Sequence, residues 1–255
     1  MDITSHIIEC IEISKPVSFL KYGDGEFNCM RQYNGSNCDG DNYTHKLSRG
    51  LIDSFKFLVE NTNNSYIGLC TWNASIKPYY ESLVTKPVSW GDYHTIIFNK
   101  DNDIIKANLY NTIKKSTRKK IILCNKHLIK SVKLLNLDHI VFVPLNNWFD
   151  NNFENILNQI TNLIGEDNNH ILITCAGMGS KVLITELIKK FPNGIYLDFG
   201  SALDTICTKH DTRGWKYGYD YYTTMLKDCL PDDWEKDIYN ELYYSAQKNL
   251  GRHLL

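Results

Sequence analysis

Short apolar runs alternate along this chain with longer stretches whose apolar residues recur at helical spacing, and that alternation narrows the possible architectures most. The runs VSFLKY (17–22), YIGLC (66–70), HTIIF (94–98), KIILC (120–124), HIVFV (139–143), HILIT (170–174) and GIYLD (194–198) read as strands. They are apolar nearly throughout, as strands covered on both faces of a parallel sheet must be. Between them lie helical patterns. Residues 3–13 carry Ile3, Ile7, Ile8 and Ile11 on one face, residues 45–60 carry Leu47, Leu51, Phe55 and Leu58, and residues 151–164 carry Phe153, Ile156, Leu157, Ile160 and Leu163. Right-handed crossovers then predict an α/β fold: a Rossmann-like, doubly wound, mostly parallel sheet with helices on both faces. With 255 residues, 43% of them apolar, the chain is expected to form one domain, 1–255. Its core would span about 15–205, followed by a helical C-terminal extension, 206–255. There the Gly- and Tyr-rich loop GWKYGYDYY (214–222) precedes a final helix from about Pro231.

Charge and cysteine usage exclude several classes. A net charge of −1 gives no electrostatic reason to expect nucleic acid or an anionic membrane as partner. No apolar run approaches the about 20 residues of a membrane span. MDITSHIIECIEIS lacks the basic start and unbroken apolar stretch of a secretory signal. The eight cysteines show no C-x-x-C spacing, so a reducing, cytoplasmic setting is expected. The histidines show no HExxH or HxxxH spacing.

In open α/β sheets, ligands bind outside the carboxyl ends of the strands. The segments placed there are GDGEF, TWNAS, NKH, PLNNWFD, AGMGSK and FGSALD. In KYGDGEF (21–27), Asp24 and Glu26 flank Gly25 directly after a strand. Two such carboxylates can face one hard cation whose other ligands are phosphate and water; the same residues also suit an ordinary Asp-Gly turn. AGMGSKVLITEL (176–187) opens a helix after a strand. Gly177, Gly179 and Ser180 could form an anion-binding nest there, with Lys181 adding charge, although the pattern is neither a Walker loop nor a complete G-x-G-x-x-G. Asp198 and Asp204 follow the last strand. Cys70, Cys124 and Cys175 sit at strand ends as packing residues. Trp72, Trp148 and the 214–222 aromatics suit either ring stacking or core.

KYGDGEF (21–27), VPLNNWF (143–149), CAGMGSKVL (175–183) and LDFGSALD (197–204), in that order, resemble the GT-D-type glycosyltransferases. The likeness covers about residues 15–205, and GDGE is its most specific element. It implies a Rossmann-like fold, a nucleoside-diphosphate sugar donor, typically a UDP-sugar, and Mn²⁺ or Mg²⁺ held by a D-x-E motif, here Asp24 and Glu26. Donor contacts are then expected from Lys21, Gly23, Asp24, Gly25, Thr71, Trp72, Asn147, Gly177, Gly179, Ser180 and Lys181. Lys21 stands where the family usually has Arg, and Lys cannot grip phosphate bidentately. If the enzyme inverts, a base must deprotonate the acceptor hydroxyl. Asp204 is the first candidate, with Asp198 and His94 behind it. Trp215 and Tyr217 are expected on the acceptor side, facing a glycan or other hydroxyl acceptor. The alternatives are an S-adenosylmethionine-dependent Rossmann methyltransferase and a non-catalytic nucleotide- or glycan-binding module.

Overall fold

The computed structural model describes residues 2–166, 168–210, 212–214 and 217–234. Its elements run α1 (Ile3–Glu12), β1 (Val17–Tyr22), α2 (Asp24–Met30), α3 (His45–Asn61), β2 (Ser65–Leu69), α4 (Ile76–Glu81), β3 (Trp90–Asp92), α5 (Asp103–Lys115), β4 (Lys119–Cys124), α6 (Ser131–Leu135), β5 (His139–Phe142), α7 (Trp148–Ile164), β6 (His170–Cys175), α8 (Gly179–Lys190), β7 (Ile195–Asp198), α9 (Asp204–Thr208) and α10 (Tyr219–Met225). The seven strands form one sheet in the order β3-β2-β1-β7-β6-β4-β5, and every pairing is parallel. This is the predicted α/β, Rossmann-like class.

Strand alternation splits the core into two layers. Phe19, Ile122, Ile173 and Leu197 point to the layer built with α1, α5, α6, α9 and α10. Their neighbours Leu20, Ile121, Leu172 and Tyr196 point to the layer built with α2, α3, α4, α7 and α8. The central pair joins the two ends of the fold: β1 lies against β7, with Val17 opposite Ile195 and Phe19 opposite Leu197.

Two local expectations are corrected. HTIIF (94–98) is not a strand; the edge strand is β3, just before it. Asp92 O accepts both the Thr95 N–H (3.0 Å) and its hydroxyl (2.7 Å), which turns the chain off the sheet edge. Ile96, Ile97 and Phe98 are nevertheless fully buried, so the run is apolar because it packs, not because it pairs. GDGEF is not a free turn either. Asp24–Met30 is helical, with Gly23 as N-cap and Glu26 closing a capping box by accepting the Gly23 N–H at 2.9 Å. The final helix expected from about Pro231 falls mostly on residues after 234, outside those described.

Candidate active site

A cleft of about 640 Å³ opens beyond the carboxyl ends of the central strands. Its lining draws on the segments after all seven strands, and on residues 36–43 and Arg213. Lys21, Asp24, Gly25, Trp72, Gly177, Lys181, Asp204 and His94 all line it, as the sequence suggested. The expected site is therefore largely one place.

Its floor is a buried ionic network. Lys181 Nζ lies 2.8 Å from Glu26 Oε1 and 2.9 Å from Asp198 Oδ2, with all three side chains less than 10% exposed. Asp198 Oδ2 also accepts the Lys21 N–H at 3.1 Å, and its Oδ1 accepts the Gly200 N–H at 3.2 Å. Burial by itself would strip the proton from Lys181. The adjoining Asp198 and Glu26 carboxylates outweigh it and hold the ammonium charged. Lys21 is equally buried; its Nζ donates to Phe199 O at 3.0 Å and lies 4.9 Å from the centre of the Tyr93 ring. Burial lowers its pKa, Asp198 only partly opposing. Neither lysine therefore offers an open charge to a ligand. Asp198 does not line the cleft. It ties β1, β7 and α8 together.

The start of α8 differs most from expectation. Gly177 holds a positive φ of +66°, and a Cβ there would stand 2.5 Å from Asp41 Oδ2. That carboxylate is anchored from the other side, its Oδ1 accepting the Asn147 N–H at 2.8 Å and its Oδ2 the Asn37 side-chain amide at 3.3 Å. Burial raises the Asp41 pKa against these hydrogen bonds and one from the Met178 N–H. The nest thus holds an anion already, and the anion is the protein's own. Gly179 and Ser180 do not line the cleft. A Cβ on Gly179 would meet Trp148 at 2.9 Å and Phe149 at 3.0 Å, so that glycine serves helix packing, and Ser180 is fully buried. Trp148 is core as well, its indole N–H donating to Ala176 O at 2.7 Å.

Asp24 behaves unlike its partner in the D-x-E pair. It is exposed to the cleft, and its carboxylate makes no hydrogen bond or ion pair to the described residues. Glu26 is buried and engaged through both oxygens. Among the described residues, no three His, Cys, Asp or Glu side chains are grouped to hold a metal ion. Two hard carboxylates on one helical turn still fit a cation that takes its other ligands from phosphate and water. Charge points the same way. Among described residues the cleft is lined by Asp24, Glu26, Asp39 and Asp204 against Lys21, Lys181 and Arg213, so a diphosphate entering alone would meet a surplus of like charge.

At the mouth, Asp204 opens α9 and accepts a hydrogen bond from the Thr212 hydroxyl. Burial raises its pKa, opposed by that hydrogen bond and by Arg213. Arg213 makes a two-pronged contact to Asp39, at 2.6 and 2.8 Å, and thereby links the loop after α9 to the loop before α3. His94 is oriented by Asp92, whose Oδ1 lies 2.8 Å from its backbone nitrogen and 3.3 Å from Nδ1. Trp72, 60% exposed, stands edge-on to Tyr93 at the rim.

The remaining candidates lie elsewhere. Thr71 is exposed but outside the cleft lining. Gly23 lies beneath the cleft, where a Cβ would meet the Tyr93 ring at 3.1 Å. Asn147 is the residue before α7 and accepts the Asn42 N–H at 2.9 Å, fastening the 35–43 loop rather than facing the cleft. Tyr217 stacks on Tyr221 at 4.7 Å, beneath Lys100. Trp215 lies outside the described residues. Cys70, Cys124 and Cys175 are buried thiols with pKa values pushed up by burial, as packing residues should be. Sequence reasoning missed Asp39, Asp41 and Arg213. Only Arg213 left a signal, being one of five arginines in a chain with 28 basic residues.

Comparison with solved structures bears on this geometry. "A New Glycosyltransferase (DUF1792) from Streptococcus sanguinis" superposes with a TM-score of 0.57 at 15% identity, over 80% of this chain and 81% of that one. "The highly conserved domain of unknown function 1792 has a distinct glycosyltransferase fold" matches with a TM-score of 0.56 at 16% identity, over 83% of each chain. The fold is that of the GT-D-type glycosyltransferases. No protein-family model and no curated protein matches the chain. The GT-D fold accounts for the position of the cleft, since strand ends, α2 and the start of α8 converge there.

Proposed function

We propose that the protein is a metal-dependent glycosyltransferase that moves a sugar from a nucleoside-diphosphate sugar, a UDP-sugar in the simplest case, to a hydroxyl of a glycan or other acceptor. The carrying observation is Asp24: an exposed carboxylate with no partner among the described residues, in the acid-rich cleft of a GT-D fold. Asp24 would be the principal residue holding Mn²⁺ or Mg²⁺, with Glu26 beside it. Such an ion, when bound, neutralises charge on the departing diphosphate. The buried network keeps Glu26 and Lys181 in place before the donor arrives, so little reorganisation is needed during transfer. Trp72 offers a ring face at the rim to a sugar or base.

Asp204 is the base in this reading. It lines the cleft, and its raised pKa makes it a better proton acceptor than an ordinary carboxylate. His94, steadied by Asp92, is the alternative. Asp198 is not, because both its oxygens are occupied within the fold. The test is calorimetry with UDP in the presence and absence of Mn²⁺, followed by a screen of nucleotide sugars for released nucleotide. Asp24→Asn should abolish metal-dependent UDP binding and turnover while leaving apo stability unchanged. Wild-type affinity in that variant would refute the metal assignment, and absence of any nucleotide binding by the wild type would refute the donor class.

A further inference from the structure

Resting on that reading, one question is left open: which side chain grips the donor's diphosphate. The anion-binding features that the sequence advertises are all occupied within the fold. The α8 nest holds Asp41. Lys181 is bound between Glu26 and Asp198, and Lys21 is buried against Phe199 O. Freeing either lysine would leave a buried charge without its partner, a costly exchange.

Arg213 differs in every respect. Its guanidinium lines the cleft beside Asp204, and it is paired with a carboxylate that is itself accessible: the two side chains are 24% and 27% exposed. An ion pair so exposed is weak and easily exchanged. Its geometry is also informative. Asp39 receives Nη2 alone on both carboxylate oxygens, at 2.6 and 2.8 Å, while Nη1 lies 2.7 Å from Cys38 Sγ. Asp39 thus does not engage the planar two-nitrogen fork, which suits a pair of phosphate oxygens. The loop bearing it is tethered by the Thr212 hydroxyl on Asp204, so the guanidinium is presented at the mouth from a fixed point.

We propose that Arg213 is the donor's diphosphate clamp, with Asp39 occupying it until a diphosphate takes its place. The exchange replaces the charge-assisted pair with Asp39 by one with the diphosphate, next to the Cys38 Sγ contact of Nη1, and no covalent bond changes. It gives Asp39 a definite role, that of an internal competitor. Removing the competitor and removing the clamp should therefore shift affinity in opposite directions. If the contact were only a tether for the loop, both changes would break it and shift affinity the same way.

The experiment is calorimetry of the full chain with UDP, and with uridine as the phosphate-free control, at fixed Mn²⁺ concentration. Arg213→Ala should weaken UDP by at least about tenfold and leave uridine unchanged. Arg213→Lys, which keeps the charge but loses the fork, should fall between it and wild type. Asp39→Asn should tighten UDP several-fold. Apo melting curves of all three variants establish that they are folded, and Arg213→Lys serves if Arg213→Ala is not. Unchanged UDP affinity in folded Arg213→Ala, or a loss of affinity in both Arg213→Ala and Asp39→Asn, overturns the clamp while leaving the proposed function standing. A wild-type protein that binds no nucleoside diphosphate overturns the proposed function, and the clamp with it.

Discussion

Two sets of ion pairs meet in one cleft, and burial separates them. The floor set, Lys181 with Glu26 and Asp198, is less than 10% exposed. The mouth set, Arg213 with Asp39, is about a quarter exposed. Both bring together residues more than 150 positions apart, and both have short contacts, so distance alone would rank them as equals. Solvent decides otherwise. In the interior a charge cannot lose its partner without a large desolvation cost, whereas at the surface water replaces the partner cheaply. The floor is therefore architecture, and the mouth is available for exchange.

The largest test of this contrast removes the shared cation of the floor. Lys181→Met leaves two buried carboxylates uncompensated and should cost about 3–5 kcal/mol in urea unfolding. A variant of wild-type stability would mean that the floor is wetter and looser than its burial indicates.

The next test extends the rule to the opposite ends of the strands. His170, at the start of β6, is fully buried, with no hydrogen-bond partner on either ring nitrogen among the described residues. Burial lowers its pKa to about 4, with Arg118 and Lys119 adding to the effect. The unfolded imidazole titrates near 6.5, so between these values the unfolded chain binds the extra proton. Stability should therefore be full above about pH 6.5 and fall by up to about 3 kcal/mol as pH drops through 4. His170→Phe should flatten that part of the pH–stability curve; an unchanged slope would assign acid sensitivity elsewhere.

A smaller effect is expected at Gly179. Gly179→Val drives a branched side chain into Trp148 and Phe149 and should cost about 1–3 kcal/mol, while UDP affinity of the folded protein stays constant. Loss of UDP affinity without loss of stability would return that glycine to the ligand. The smallest effect belongs to the mouth: Asp39→Asn should change stability by less than about 1 kcal/mol, measured by the same urea series as Lys181→Met. A cost comparable to that of Lys181→Met would erase the contrast.

The sheet was legible in the sequence because both faces of its strands are covered, which leaves a dense apolar signature in runs such as KIILC and HILIT. That signature failed at HTIIF, where composition records burial but not hydrogen bonding. The α2 helix was obscured by Gly23 and Gly25, although Glu26 three residues after the N-cap, with Phe27 and Met30 behind it, is a helix-start pattern. The site was legible as a location and much less so as a set of roles. Short-range spacing could put Asp24, Glu26, Gly177 and Lys181 near strand ends. It could not show that Lys181 would be spent on Asp198, nor that Asp41, some 136 residues before Gly177, would fill its nest. Those pairings are long-range and leave no local pattern.

The adjacency of β1 and β7 also has a consequence for biosynthesis. Lys21 and Asp198, hydrogen-bonded across that pair, are 177 residues apart. A chain emerging from the ribosome carries β1 with one edge bare until Ile195–Asp198 has been made, and such distant parallel pairing is slow to form. An open strand edge recruits other chains. Until Asp198 arrives, Lys181 lacks one of its two carboxylates. The cleft floor and the joining of the two halves of the sheet are thus completed by the same few residues, so a nascent chain cannot acquire a finished floor before that edge of β1 is covered.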